Sequence, residues 1–542
     1  MLRYQGSRVF GGYAIAPALV LQRAVKEASR AHIDDAEAEC ARFRAAREKA
    51  AKELADLRER TLKEMDDELA RIFDVHHSML FDADFEESVL DIIHAERVNA
   101  EYAVLVTGER YADEFASMDN AYMQARAADI ADISNRVIRI LRGETETHLL
   151  ETTSPVILVA KDLTPSEIVR LDTAHVLAIV TRYGSLNSHA AILAGSKGIP
   201  MVIGVDYDDD IDGKTCIVDA YGALLIVGPD DATLGEYKEK KEKDEENTSL
   251  LLALKGKDNI TKDGHRIDIF CNIGGEKDVA DAIKNDAGGI GLFRSEYLYL
   301  RSADYPSEEE QFQAYKTVAQ RMEGKKVVIR TLDIGADKRV DYFSLRPEHN
   351  PALGYRAVRI CLDRPEILKV QLRAILRASA FGNIDVMYPM ITSIWEVQQL
   401  KNIFEDVKSD LSDEHIAFSD KVAQGVMIET PAAVLISELL AQEVDFFSIG
   451  TNDLTQYLLA SDRQNPMLER FFDPHHPAVL KAIRMVTENA HRYRKRVGIC
   501  GELAADTLLT EYFLSLHVDE LSVTPSRVLA VRDAVRKTDL SK

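Results

Sequence analysis

Arginine, carboxylate and thiol side chains recur in this sequence at one kind of place, directly after a short apolar run. Arg294 closes GIGLFR, Arg330 closes KVVIR, Glu429 follows QGVMI, Asn452 and Asp453 lie just past FFSIG, and Cys500 follows RVGI. Guanidinium forks match the oxygens of phosphate and carboxylate and can grip them bidentately; Arg463, ten residues past Asp453, offers a third. Glu429 and Asp453 supply the hard oxygen ligands that Mg²⁺ prefers, an ion that takes one or two carboxylates and leaves the rest of its shell to phosphate and water. Cys500 stands beside Gly501 and Glu502, and a thiol with an ordinary pKa of about 8.5 is mostly protonated at neutral pH and able to deliver a proton. Such a set suits a small, densely charged phosphate ester. Each residue also has a structural reading: Arg294 could pair with Glu296, Glu429 could cap a helix beginning near Pro431, and Cys500 could be a small core residue. Their recurrence at the ends of five apolar runs is what points to a site.

A further candidate stands apart from these. In YGSLNSHAAILAGSKGIP, Asn187 or Ser188 can cap a helix over 190–196, which Gly198 and Pro200 end. His189 then sits at the first turn, where unpaired N–H groups and the positive end of the helix dipole favour a bound phosphate and disfavour imidazolium. A neutral imidazole there is a nucleophile, although a histidine near a helix start is more often structural. Two other signals are discounted. Gly288, Gly289 and Gly291 precede an apolar run instead of following one, unlike a phosphate-cradling loop. The basic run Arg492, Arg494, Lys495 and Arg496 also precedes a run and reads as solvated surface.

The elements that must carry these residues can be read from the same pattern. From residue 258 onward eight strand-like runs, near IDIFCNI, GIGLF, KVVIRTL, IDVMYP, QGVMIE, FFSIG, RVGIC and DELSV, alternate with helical stretches. That count and spacing predict a (β/α)₈ barrel over 258–542, in which reacting groups belong at the carboxyl ends of the strands. Around His189, the runs RVFGGYAIAPALVLQ, PVILVAKDL, HVLAIVTRYG, MVIGV and the hairpin-like KTCIVDAYGALLIVG predict a small α/β domain built from 1–21 and 149–229. Between its two parts there is no proline from Pro17 to Pro155 and no glycine from Gly12 to Gly108. This predicts a helical bundle inserted at 22–148, with one long helix over 37–70 and more over 76–108 and 111–141. The charge-dense segment 230–257 reads as a linker, and equally as a solvated helix.

Bulk properties exclude several classes. The 542 residues carry 46% apolar and 29% charged side chains, with a formal net charge of −23 that repels nucleic acid. The chain shows no apolar stretch of membrane-span length and no apolar leader, so the expectation is a cytoplasmic protein without membrane insertion. Five scattered cysteines without CxxC spacing predict reduced thiols.

The motifs GIGLFRSEYL, RTLDIGADK, NPALGYRAVRI, GVMIETPAA, FFSIGTNDLTQYLLASDR and GICGELAAD resemble those of Enzyme I of the bacterial sugar phosphotransferase system, and the likeness runs along essentially the whole chain. The resemblance implies a swivelling phosphohistidine domain carrying His189 as the phosphorylated residue. It further implies phosphoenolpyruvate bound by Arg294, Arg330, Asn452, Asp453 and Arg463, Mg²⁺ on Glu429 and Asp453, and Cys500 as the acid that protonates the enolpyruvate carbon. The helical insert corresponds to the part that docks the carrier protein HPr, with Met79, Asp82 and Asp84 as candidate contacts, and a homodimer through the barrel is implied. One departure stands out: most members read G-G-x-T-S-H before the nucleophile, and here Ser185 and Asn187 replace the second glycine and the threonine. Two rival readings stay open. A pyruvate phosphate dikinase-like enzyme shares the histidine domain and barrel, and a phosphoenolpyruvate-sensing regulator would keep the barrel ligands without transfer.

Overall fold

A computed structural model describes residues 1–541 apart from 22–27, 65–66, 118–120, 145–151, 153, 185–187, 303, 336–339, 347 and 464. The chain forms two compact units, Met1–Thr248 and Ser249–Lys542.

The first unit contains an eight-stranded mixed sheet: β1 (Leu2–Gln5), β2 (Ser7–Phe10), β3 (Tyr13–Val20), β4 (Val156–Ala160), β5 (Val176–Thr181), β6 (Met201–Ile203), β7 (Thr215–Asp219) and β8 (Leu224–Val227), ordered β1-β8-β7-β3-β4-β5-β6-β2. β3 changes partner along its length, pairing Tyr13–Pro17 antiparallel to β7 and Ala18–Val20 parallel to β4. A parallel neighbour requires a long crossover, and here the crossover between β3 and β4 contains helices α1 (Ala36–Glu64), α2 (Asp67–Leu80), α3 (Ala83–Glu96), α4 (Ala100–Ala116) and α5 (Ala121–Leu141).

The bundle is broken more often than its composition suggests. The stretch expected as one helix over 37–70 is helical up to Glu64 and again from Asp67, with 65–66 outside the described residues, whereas 76–108 contributes to three helices. α3 starts on Asp82, whose carboxylate accepts from the Phe85 N–H at 3.0 Å, and it stops at Arg97 with φ 49° in the left-handed region. Gly108 is not a boundary: it lies inside α4, where a Cβ would stand 2.4 Å from Ser134 Oγ of α5, so it marks a close helix approach. Bundle and sheet share one apolar core, in which Phe43, Phe73, Val89 and Ile133 lie with Leu158, Ile168, Leu193 and Met201. Helix α6 (Pro165–Arg170) joins that core. Beside the core runs a buried polar chain: Ser166 donates to Asp132 at 2.8 Å, and Arg136 donates both to Ser166 at 2.8 Å and to Glu53 at 2.7 Å.

After helix α7 (His189–Ser196), the segment read as a linker is itself helical, α8 (Asp231–Leu252), with Tyr237 packed on Ile217 and Ile226. The division between the two units falls within this helix, at Thr248. The N-terminal MLRYQ segment, not anticipated as a strand, forms β1 by pairing along β8.

The second unit is a closed barrel of eight parallel strands: β9 (Asp268–Ile273), β10 (Ile290–Arg294), β11 (Val327–Arg330), β12 (Ile384–Tyr388), β13 (Gln424–Ile428), β14 (Phe446–Ile449), β15 (Arg496–Ile499) and β16 (Glu520–Val523), each pairing with the next and β16 with β9. These are the eight runs read from the sequence. All five cysteines are unpaired and buried, and among the described residues no helix is long and apolar enough to cross a membrane.

Candidate active site

Period-two alternation along the barrel strands decides which residues enter the interior. Leu292, Val328, Met387, Met427 and Cys500 form a small apolar layer inside the barrel. Two residues further on come Arg294 and Arg330, the last residues of β10 and β11, and Glu429, directly past the end of β13, one step nearer the carboxyl mouth. Arg294 and Arg330 are direct register partners on adjacent strands, so both guanidinium groups start from the same level.

Arg330 is 7% exposed and pairs with Glu296 and, at 3.1 Å, with Asp333, which in turn takes Arg356 at 2.8 Å. Burial opposes its charge, yet Glu296, Asp333 and Glu429 more than offset that cost and hold the guanidinium firmly protonated. Among the described residues its buried Nε meets no hydrogen-bond acceptor. The alternative pairing of Glu296 with Arg294 gives way to one with Arg330.

Glu429 is 1% exposed and accepts a hydrogen bond from the Met390 N–H at 2.6 Å. Burial, with the charges of Asp453 and Asp333 added, pushes its carboxyl up to about 8 against the pull of Arg330. The helix cap once assignable to Glu429 belongs to Thr430, whose hydroxyl accepts from Ala433 N–H at 3.1 Å. That frees the carboxylate for the mouth. Gly450 lies so close that a Cβ would stand 3.0 Å from Glu429 Oε2.

Asn452 and Asp453 occupy the first turn of the helix Thr451–Leu459. Asn452 reaches the loop after β15, donating to Glu502 Oε1 at 3.3 Å and accepting from the Glu502 N–H at 2.9 Å. Asp453 is 8% exposed, and Arg463 approaches it at 3.5 Å from a more open position. Cys500 is 3% exposed, and burial pushes its thiol up to about 11, with Glu429 raising it further and Arg330 and Arg294 opposing. It stays an S–H donor throughout the neutral range. Its carbonyl is braced by Asn272 Nδ2 at 2.9 Å, and the Asn272 Oδ1 accepts from Ser522 at 2.7 Å.

The expected barrel residues Arg294, Arg330, Glu429, Asn452, Asp453, Arg463 and Cys500 therefore gather at one mouth. The supporting groups Glu296, Asp333, Arg356 and Asn272 were not singled out for it, although three of them lie within the motifs quoted above. Among the described residues no group of three or more His, Cys, Asp or Glu is arranged to hold a metal. The donor set nonetheless fits a hard divalent ion: two carboxylates, one of them pushed toward protonation by burial and by the other's charge, gain from a shared cation.

His189 opens helix α7 in the first unit, and the cap is Ser188, whose hydroxyl accepts from the Ala191 N–H at 3.2 Å. The inner face of α7 packs through Ala190, Leu193 and Ala194. Ser185 and Asn187, the departures from the usual motif, lie outside the described residues. In the bundle, Asp82 and Asp84 are exposed and Met79 is half-buried, with Asp82 already engaged as the α3 cap.

Comparison with known proteins agrees along the chain. The family described as PEP-utilising enzyme, PEP-binding domain, matches residues 250–540; PEP-utilising enzyme, N-terminal, matches 5–126; and PEP-utilising enzyme, mobile domain, matches 152–222. The phosphoenolpyruvate-protein phosphotransferase of Priestia megaterium is 40% identical over 535 residues, covering 98% of this chain and 93% of the relative. That of Bacillus subtilis is 40% identical over 539 residues, covering 99% and 95%, and that of Haemophilus influenzae is 41% identical over 532, covering 97% and 92%.

Proposed function

The chain belongs to the phosphoenolpyruvate-protein phosphotransferases among the PEP-utilising enzymes, and on that premise we propose that His189 takes the phosphoryl group of phosphoenolpyruvate and hands it to a histidine of the carrier HPr. The observation that carries the reading is the gathering of Arg294, Arg330, Glu429, Asp453 and Cys500 from five strand ends into one electrostatic cluster.

In the first half-reaction the phosphorus–oxygen bond of the substrate breaks as a nitrogen of His189 forms a bond to phosphorus, and the enolate of pyruvate leaves. Transfer of this kind depends on in-line positioning and charge neutralisation more than on covalent help. Arg294, Arg330 and Arg463 supply planar donors to phosphate and carboxylate, and Asn452 a further polar contact. Glu429 and Asp453 would hold Mg²⁺, which when bound neutralises phosphate oxygens. The protonated thiol of Cys500 donates to the enolate carbon, and the thiolate so formed recovers its proton from solvent. In the second half-reaction phosphohistidine is the donor and HPr the acceptor. Because both partners must use His189 in turn, the phosphohistidine domain swings on the 230–257 segment between them. The helical insert, around Met79, Asp82 and Asp84, supplies the HPr contact. We place the enzyme in the cytoplasm, as a homodimer through its barrel.

Labelled phosphoenolpyruvate with Mg²⁺ is expected to leave acid-labile label on the native chain and none on His189→Ala. Failure to label the native chain would sink the transfer reading in favour of a sensor. Labelling from ATP instead would favour the dikinase-like reading.

A further inference from the structure

Behind the wall of the barrel, Gln371 lies on the helix Pro365–Ser379 with no solvent exposure. Its Oε1 accepts from the Leu332 N–H at 2.9 Å, and its Nε2 donates to Ser295 Oγ at 3.0 Å and to Tyr315 Oη at 3.1 Å. Neither hydroxyl can return the favour. Ser295 Oγ donates to the Arg330 carbonyl at 2.6 Å, and Tyr315 Oη donates to Gln311 at 3.2 Å. The amide is therefore fixed in one orientation, with its acceptor on a backbone N–H and both donors used.

The three anchor points have a common feature. Ser295 directly follows Arg294, the Arg330 carbonyl belongs to that arginine itself, and Leu332 is two residues beyond it. β10 and β11 pair at Arg294 and Arg330 as their last register step, so beyond this point the sheet ladder no longer holds the two exits together. We propose that Gln371 is a positioning residue for substrate binding, which clamps the exits of β10 and β11 and so fixes the spacing of the Arg294 and Arg330 guanidinium groups. Glu429 and Asp453 leave other strands and have no bond to the clamp. The clamp's effect thus falls on the cationic half of the site and not on its carboxylate half. This rests on the proposed reaction, because the spacing matters only if both arginines hold one anion.

The test uses the full-length protein, native and with Gln371→Leu, Ser295→Ala and the double substitution, measuring labelling from phosphoenolpyruvate at varied substrate and varied Mg²⁺. Loss of the clamp leaves the Leu332 N–H unsatisfied and lets the arginines part. The expected outcome is a KM for phosphoenolpyruvate raised about tenfold, with kcat within about threefold and the Mg²⁺ dependence within about twofold. The double substitution is expected to cost no more than Gln371→Leu alone, because both act through one network. An unchanged KM, or a parallel rise in the Mg²⁺ requirement, would overturn the inference. Should Gln371→Leu fail to fold, Ser295→Ala decides: it keeps the bond to Leu332 and must still raise the KM by about threefold. If the native chain takes no label, the proposed reaction fails, which is a different result from native labelling with an unmoved KM.

Discussion

Gly501→Ala tests the geometry of the mouth with a single methyl group. The backbone at Gly501 has φ −83° and ψ −177°, ordinary extended values, so alanine meets no conformational penalty there. What it meets is Thr451: the new Cβ would stand 1.9 Å from its Oγ1 and 2.6 Å from its backbone nitrogen. The hydroxyl can rotate away, but the nitrogen cannot, and restoring an ordinary contact of about 3.5 Å there needs roughly 0.9 Å of backbone retreat. Thr451 is the first residue of the helix that carries Asn452 and Asp453, while Cys500 precedes the added methyl. The substitution therefore pries the carboxylate and the thiol apart. Overpacking of this kind costs about 1–3 kcal/mol of stability, and a misplacement near an ångström costs about 100-fold in rate. Labelling from phosphoenolpyruvate is expected to slow by about that factor in a protein that still unfolds cooperatively. At Gly450 the added Cβ would meet only side-chain atoms, Glu429 Oε2 and Met427 Sδ, each at 3.0 Å, so Gly450→Ala should cost about tenfold at most. A Gly501→Ala protein with native turnover, or one less affected than Gly450→Ala, would refute the geometry.

Arg330→Lys keeps the charge but cannot span both Glu296 and Asp333 while offering a fork to an anion, and should raise the KM for phosphoenolpyruvate about tenfold or more; a steady-state titration in which it does not would contradict the role given to Arg330. At the other end of the barrel, burial pushes the Glu520 carboxyl up to about 7, with Asp268 and Asp385 adding to it against Arg496 and Lys326. A folded pKa above the unfolded one means stability that is present below about pH 4.5 and lost as the pH rises through 7. Glu520→Gln should accordingly gain about 1–3 kcal/mol at about pH 8 and little near pH 4.5. Equal shifts in unfolding midpoint at both pH values would exclude the explanation. Gly108→Ala should destabilise the bundle by about 1–3 kcal/mol through its clash with Ser134, and Ser134→Gly in the same chain should restore most of the loss in thermal melts.

The barrel and the ends of its strands were legible because buried parallel strands are apolar almost throughout, so a charged residue closing such a run stands out: Leu292 to Arg294, Val328 to Arg330 and Met427 to Glu429 each mark the step out of the core. What stayed hidden was decided by partners distant in sequence. Glu296 is two residues from Arg294 yet serves Arg330, because β10 and β11 bring the two arginines level. Gln371 sits in an amphipathic helix where any polar residue reads as surface. In the bundle, composition gave helix but not its breaks, because α3 ends on an arginine in the left-handed region and Gly108 is used for packing instead of termination. The segment 230–257 looked like a tether by charge, and its helix is anchored by Tyr237, one aromatic among many charged residues.

The shared core of the first unit constrains how this enzyme could be re-engineered. Phe43 and Ile133 of the bundle lie in the same apolar mass as Ala190 and Leu193 of the helix that begins with His189, and the chain Glu53, Arg136, Ser166, Asp132 crosses the same boundary. Grafting a foreign bundle between β3 and β4 to recruit a new acceptor would cut that mass in two and strand those polar groups. If the bundle docks the acceptor as proposed, acceptor choice and nucleophile are inherited together, and a successful chimera would exchange the whole of residues 1–248 at the junction in α8.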